Sequence, residues 1–254
     1  MKKLFQDKKN WIFAAFAAVE LVIFITFEAL RFAAGNDAID IKYPGILLCL
    51  AVAGLSCAFY GNDAKILLGG VFFTAISDLF ILVLDHFSEQ AMVDALIFDN
   101  EYIMGVCTFI LAQLFYFARI YLTNGKKPYI SIGVRVTLMV VALIVMGVTG
   151  KLTPLTGICC IYFPLLVCNC VESAFLIKIS KRYILFFIGL LLFMCCDICV
   201  GLDNLGLNFP ADVAEVINIL IWTFYLPSQT LIVMSVRDAE YKPFFKKAKA
   251  GDEE

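Results

Sequence analysis

Eight long apolar blocks, separated by short polar turns, constrain this chain more than any other feature of its sequence. They run 11–33, 43–60, 65–86, 101–122, 131–149, 154–177, 183–203 and 213–236, and each has about the 17–25 residues a helix needs to cross a bilayer. Backbone in lipid must satisfy its own hydrogen bonds, so each block is expected as a helix. One such helix can hide in a water-soluble core. Eight in succession would find too little polar surface to cover them. Hydrophobic residues are 62% of the chain and charged ones 17%, outside the soluble range. The expected fold is all-α, with eight transmembrane helices in a single domain over 1–236 and a charged cytoplasmic tail over 237–254.

Basic residues collect in cytoplasmic loops and so orient the spans. Lys2, Lys3, Lys8 and Lys9 precede span 1, and Lys65 stands between spans 2 and 3. Arg119, Lys126 and Lys127 follow span 4 on that side, and Arg135 sits just inside span 5; Lys178, Lys181 and Arg182 join spans 6 and 7. Arg237, Lys242, Lys246, Lys247 and Lys249 follow span 8. The opposite loops hold only Arg31, Lys42 and Lys151, among acids such as Asp37, Asp40, Glu89, Asp94, Asp99, Asp203 and Asp212. Both ends are therefore expected in the cytoplasm of a multi-pass membrane protein, in the plasma membrane if the host is bacterial. Span 1 is too long for a signal peptide's apolar region, carries Glu20 and Glu28, and ends at no small-residue cleavage site.

All ten cysteines fall inside spans, where small polarizable side chains packing helix on helix are expected rather than disulfides. His86 is the only histidine, so a three-histidine zinc centre is impossible. No metal or organic cofactor is expected.

Ionisable groups inside a bilayer are costly and mark sites. Glu20, Glu28, Asp78, Glu172 and Asp197 are the ones within spans, with no Lys or Arg expected at matching depth. At a rise of ~1.5 Å per residue, Asp78 stands ~20 Å above Lys65 and Asp197 ~22 Å above Arg182, nearly level with one another. Helical spacing puts Asn218, Trp222, Tyr225 and Gln229 on one stripe of span 8, and Thr74, Asp78 and Asp85 on one face of span 3. Tyr162, Asn169 and Glu172 share a face of span 6, as Gln113 and Tyr116 do in span 4. These polar seams predict one interior cavity; interhelical hydrogen bonding is the plainer alternative.

The two halves also echo one another. Gly70 precedes Asp78 by eight residues and Gly189 precedes Asp197 by eight; Asp85 and Asn204 follow by seven. Ala112-Gln113 and Ser228-Gln229 sit in the spans that come next. Spans 1–4 and 5–8 would then form a parallel 4+4 pseudo-repeat around the cavity.

Four segments carry a resemblance to a known family: Gly69-Gly70 through Asp78, Phe109 through Tyr116, Phe193 through Asp197, and Tyr225 through Gln229. In these the chain resembles the YhhN-like lysoplasmalogenases, eight-helix membrane hydrolases. It departs from their pattern in having Ser77-Asp78, Gln113 and Cys196-Asp197 where relatives tend to have Gly-Asp, His and Ser-Asp. The resemblance implies cleavage of the vinyl-ether bond of lysoplasmalogens to a fatty aldehyde and a glycerophospho-alcohol, with Asp78 and Asp197 essential. A lysophospholipid substrate and membrane lipid, not nucleic acid, are the implied partners. Two carboxylates in different protonation states suit that chemistry, one giving a proton and the other activating water. The more apolar surroundings of Asp197 point to it as the acid and to Asp78 as the base. Gln113, Tyr116, Asn169, Glu172, Tyr225 and Gln229 are the residues expected to bind substrate. Two other classes stay open: a proton-coupled transporter, and a lipid-sensing or scaffold protein.

Overall fold

The computed structural model describes residues 2–34, 39–84, 101–124, 128–204 and 209–236. Among them are eight helices long and apolar enough to cross a membrane. They are α1 (Lys2–Ala34), α2 (Ile39–Tyr60), α3 (Asn62–Asp78), α4 (Glu101–Asn124), α5 (Tyr129–Val148), α6 (Pro154–Leu176), α7 (Tyr183–Asn204) and α8 (Ala211–Met234). All eight expected spans are present. Asp37, Asp85, His86, Glu89, Asp94, Asp99, Lys126, Lys127 and the tail 237–254 lie outside the described residues, as do the side chains of Lys2, Lys3, Lys8, Lys9, Arg31, Asp40, Lys42, Asp203, Asn204 and Asp212.

Helix α3 does not stop at Asp78. It continues as a π-helical stretch, Leu79–Leu84, a wider winding that is uncommon and frequent at functional sites. No Gly or Pro announces this change. The break at the level of an aspartate was not expected from the sequence. Proline does interrupt α6 at Pro164 and α8 at Pro227. The start of α6 is set locally: Thr153 and Thr156 cap one another's backbone, and Pro154 takes the first-turn position that needs no N–H donor.

Helices α3 with α4, and α7 with α8, pack along the greatest lengths. The two echoing glycines explain how they come so close. A β-carbon on Gly70 would run into the ring of Tyr116 on α4. One on Gly189 would stand 2.8 Å from Ile232 and 3.0 Å from the Ser228 carbonyl on α8. Small residues are how membrane helices gain van der Waals contact when lipid offers no hydrophobic drive. Helix α5 lies at the periphery, packed on α6, with Ile130, Val141, Ile144 and Val148 exposed on the outer surface of the bundle.

The end of the bundle where α3 and α7 begin, here the lower end, is locked by a buried ion pair. Both Nε and Nη2 of Arg119 reach the Asp63 carboxylate at 2.9 Å, while Nη1 and Nη2 donate to the hydroxyl and carbonyl of Ser235 at 2.7 and 2.9 Å. The guanidinium also lies 4.5 Å from the ring centre of Phe186. Arg119 and Asp63 are wholly buried. One side chain thus ties α3, α4, α7 and α8 together.

Candidate active site

The upper end is built differently. A cavity of about 470 Å³, within the usual range for small-molecule sites, lies between α3, α4, α6, α7 and α8. Its inner part is formed by Asp78, Asp197, Phe109, Tyr162, Trp222 and Tyr225; Leu82, Tyr102, Leu155 and Leu202 carry it toward the upper end. The two aspartates, on separate helices, therefore share one cavity, and among the described residues no Lys or Arg lines it.

Each aspartate is held by a phenol. Tyr225 on α8 donates to Oδ2 of Asp78, and Tyr162 on α6 donates to Oδ2 of Asp197 at 2.5 Å. Among the described residues, no donor meets the second carboxyl oxygen of either. A run of rings joins the two phenols: Tyr162 to Phe109 at 5.8 Å, Phe109 to Phe193 at 5.5 Å, and Phe193 to Tyr225 at 5.7 Å between centroids. Trp222 stacks edge-on against Tyr225 at 5.9 Å. Such tilted and edge-to-face contacts are the favourable ones, so both phenols are braced by one aromatic wall. Ser77 fastens α3 to α4 beside Asp78 by donating to the Gly105 carbonyl at 2.6 Å.

Of the six residues expected to bind substrate, only Tyr225 reaches the cavity. Gln113, Tyr116 and Gln229 are buried below it. Asn169 donates to the carbonyl and the side-chain oxygen of Gln113, both at 2.9 Å, so these two amides satisfy one another across α4 and α6. Glu172 is not an unpaired acid. Arg135 on α5 donates to both of its carboxylate oxygens, at 2.8 and 2.9 Å, and to Asn169 at 2.7 Å.

This corrects the expectation that no cation lies at the depth of the acids. Arg135, read from the sequence as a cytoplasmic-side charge just inside span 5, turns inward because a carboxylate and an amide on the neighbouring helix solvate it better than lipid would. Ser131 joins the same group, donating to Glu172 at 2.5 Å. Glu20 is also buried, away from the cavity, and accepts from the Cys49 thiol at 3.5 Å. Tyr162 was legible as part of a polar face, but its role as the partner of Asp197 was not. Asp63, paired with Arg119, was not singled out at all; opposite charges at equal depth on neighbouring helices were its signal.

All ten cysteines are free thiols. Among the described residues, no three acidic, histidine or cysteine side chains converge as metal ligands would. What the arrangement can do is acid–base chemistry in an apolar pocket. Two carboxyls are fixed from one side by phenols and open to the cavity on the other. Neither a curated protein nor a solved structure matches this chain. The model of the YhhN family matches residues 41–236, from α2 to the end of α8, and the chain belongs to that family.

Proposed function

We propose that this protein is an intramembrane hydrolase that opens the vinyl-ether bond of lysoplasmalogens, with Asp78 and Asp197 as its acid–base pair. The observation that carries the reading is the pair itself: two carboxyls on different helices facing one cavity whose other walls are apolar or aromatic. Family membership supports the same activity.

The reaction needs little more. The protonated carboxyl, assigned to Asp197, gives its proton to the β-carbon of the vinyl ether, and the α-carbon becomes an oxocarbenium ion. The ionised carboxyl, assigned to Asp78, takes a proton from water as the water oxygen bonds to that carbon. The resulting hemiacetal returns its hydroxyl proton to Asp197, and the departing glycerol oxygen takes the proton from Asp78. One water is consumed, aldehyde and alcohol are released, and both carboxyls recover their starting states. The phenols of Tyr162 and Tyr225 fix the carboxyl geometry, and positioning is itself a large part of such catalysis. The aromatic wall faces the developing cation, an attraction that grows when water is excluded.

The cavity suits a single fatty chain, and with no cation among the described residues of its wall the phosphate stays at the upper rim. With the basic loops in the cytoplasm, that rim faces the opposite leaflet. Purified protein incubated with a lysoplasmalogen should release fatty aldehyde, read by a coupled aldehyde dehydrogenase. Absence of aldehyde from folded protein would overturn the proposal.

A further inference from the structure

The wall of the cavity is not equally closed all round. Asp78, Trp222 and Tyr225 line it and are 4%, 8% and 5% exposed, so facing the lumen adds little exposure by itself. Ile198 on α7 lines it too, yet is 45% exposed, and Gly201, one turn higher, is likewise both cavity-lining and exposed. These two residues stand where the inside of the cavity meets the outer surface of the bundle. Helix α6 faces them, joined to α7 by the Tyr162–Asp197 bond. Gly201 lies four residues, ~6 Å, above Asp197, and Cys159 lies three residues, ~4.5 Å, above Tyr162 on the descending α6. Both line the cavity, so at this height the seam is flanked by a residue without a side chain and one with a small side chain. Among the described residues, a β-carbon on Gly201 would meet nothing within 4 Å, whereas Gly189, lower on the same helix, is pressed against α8. Helix α7 packs along α8 over a greater length than along α6. The other thinly packed seam, α2 with α8, is covered by α1, which touches both; α5, the other outer helix, packs on α6.

The dimensions of the substrate call for such an opening. One fatty chain reaches across half of a ~30 Å hydrocarbon core, or ~15 Å. Only five residues, ~7.5 Å of helix, separate Asp197 from Leu202 near the upper end. With the vinyl ether at the dyad and the phosphate at the rim, the glycerol fills that column. The chain has to leave in another direction, and a sideways path into lipid keeps every methylene in apolar surroundings. From this we propose that the seam between α6 and α7, at the level of Cys159 and Gly201, is a lateral portal for the single fatty chain of a lysophospholipid. The cavity takes the near end of the chain and the seam its remainder. The proposal rests on the hydrolase reading for the position of the vinyl ether. The headgroup stays at the membrane surface while the chain slides in from the side, and the fatty aldehyde leaves by the same seam.

Photolabelling of the full-length protein in lipid nanodiscs tests this, with a lysophosphatidylethanolamine that carries a diazirine midway along its acyl chain. Adducts should form on Ile198 and on Phe163, the α6 residue next to Tyr162 that also lines the cavity, and excess unlabelled lysophospholipid should prevent them. Adducts there that are no more preventable than those on Phe175, exposed on the outside of α6, would overturn the portal. In Gly201→Trp the preventable adducts should be lost. Its kcat/KM should fall at least ~10-fold further for a hexadecenyl lysoplasmalogen than for the butenyl one, which is short enough to stay inside. Equal losses for the two chains would overturn the portal, as would a matching chain-length effect in Gly133→Trp, on the exposed face of α5. The wild-type labelling stands even if Gly201→Trp fails to fold. Preventable adducts without any aldehyde release would refute the hydrolase and leave a lipid portal. Aldehyde release without preventable adducts would do the reverse.

Discussion

Asp63 and Asp78 stand near the two ends of α3, both buried, and the bundle treats them in opposite ways. Asp63 receives two parallel hydrogen bonds from a guanidinium that is itself stacked on Phe186 and tied to Ser235. Asp78 receives one from the phenol of Tyr225 and opens onto a cavity where no cation stands among the described residues. A carboxylate fully engaged by arginine has no capacity left for chemistry, and its burial is compensated by the pair. A carboxyl that meets only a neutral donor can exchange a proton with whatever enters beside it. Asp197 belongs with Asp78 in this respect, and Glu172, through Arg135, belongs with Asp63. What separates a structural acid from a reactive one here is its partner; depth and burial do not.

Breaking the reactive side of that contrast should have the largest effect. Asp78→Asn and Asp197→Asn should each lower aldehyde release by ~10²–10⁴-fold or more, since asparagine can neither give a carboxylic proton nor carry charge. Because the pair acts as a unit, the double variant should be scarcely slower than either single one. Thermal unfolding in detergent should show all three folded. Additive losses would mean that the two aspartates act separately.

The structural side should fail in the other currency. Asp63→Asn leaves the Arg119 charge buried without its counter-charge, a loss of ~3–5 kcal/mol of stability. The melting temperature should drop while turnover per folded molecule holds. A variant of normal stability and lost turnover would place Asp63 in the chemistry and erase the distinction.

The smallest expected effect sharpens the comparison between the two aspartates. Tyr225→Phe and Tyr162→Phe each remove one hydrogen bond to a carboxyl, worth ~1.5–3 kcal/mol when the acceptor is charged. If the ionised partner is Asp78, Tyr225→Phe should slow kcat more than Tyr162→Phe does. The reverse order would exchange the acid and the base.

Much of the bundle was legible because bilayer thickness, loop charge and backbone satisfaction act on the sequence directly. The spans, and the two aspartates as its central polar feature, follow from those alone. The rotation of each helix about its own axis was not legible. Lipid and protein interior are equally apolar, so a helix such as α5, apolar on nearly every face, gives no signal of which side turns inward. Arg135 and Arg119 were consequently read only as orienting charges of the cytoplasmic side, though one reaches Glu172 and the other Asp63. For the same reason Gln113 and Asn169 were assigned to substrate when they bond to each other. Which polar side chains face the cavity depended on packing.

The wide turn that follows Asp78 makes α3 a matter of residue count as much as residue type. Leu79–Leu84 is wound with one more residue per hydrogen-bonded loop than the helix below it. Ile81 and Leu82, within that stretch, line the cavity wall. Removing a single residue from the stretch would let the ordinary ladder close and swing the wall above Asp78 by ~100°. Leucine, isoleucine or valine can trade places there at little cost, whereas the length of the segment is fixed.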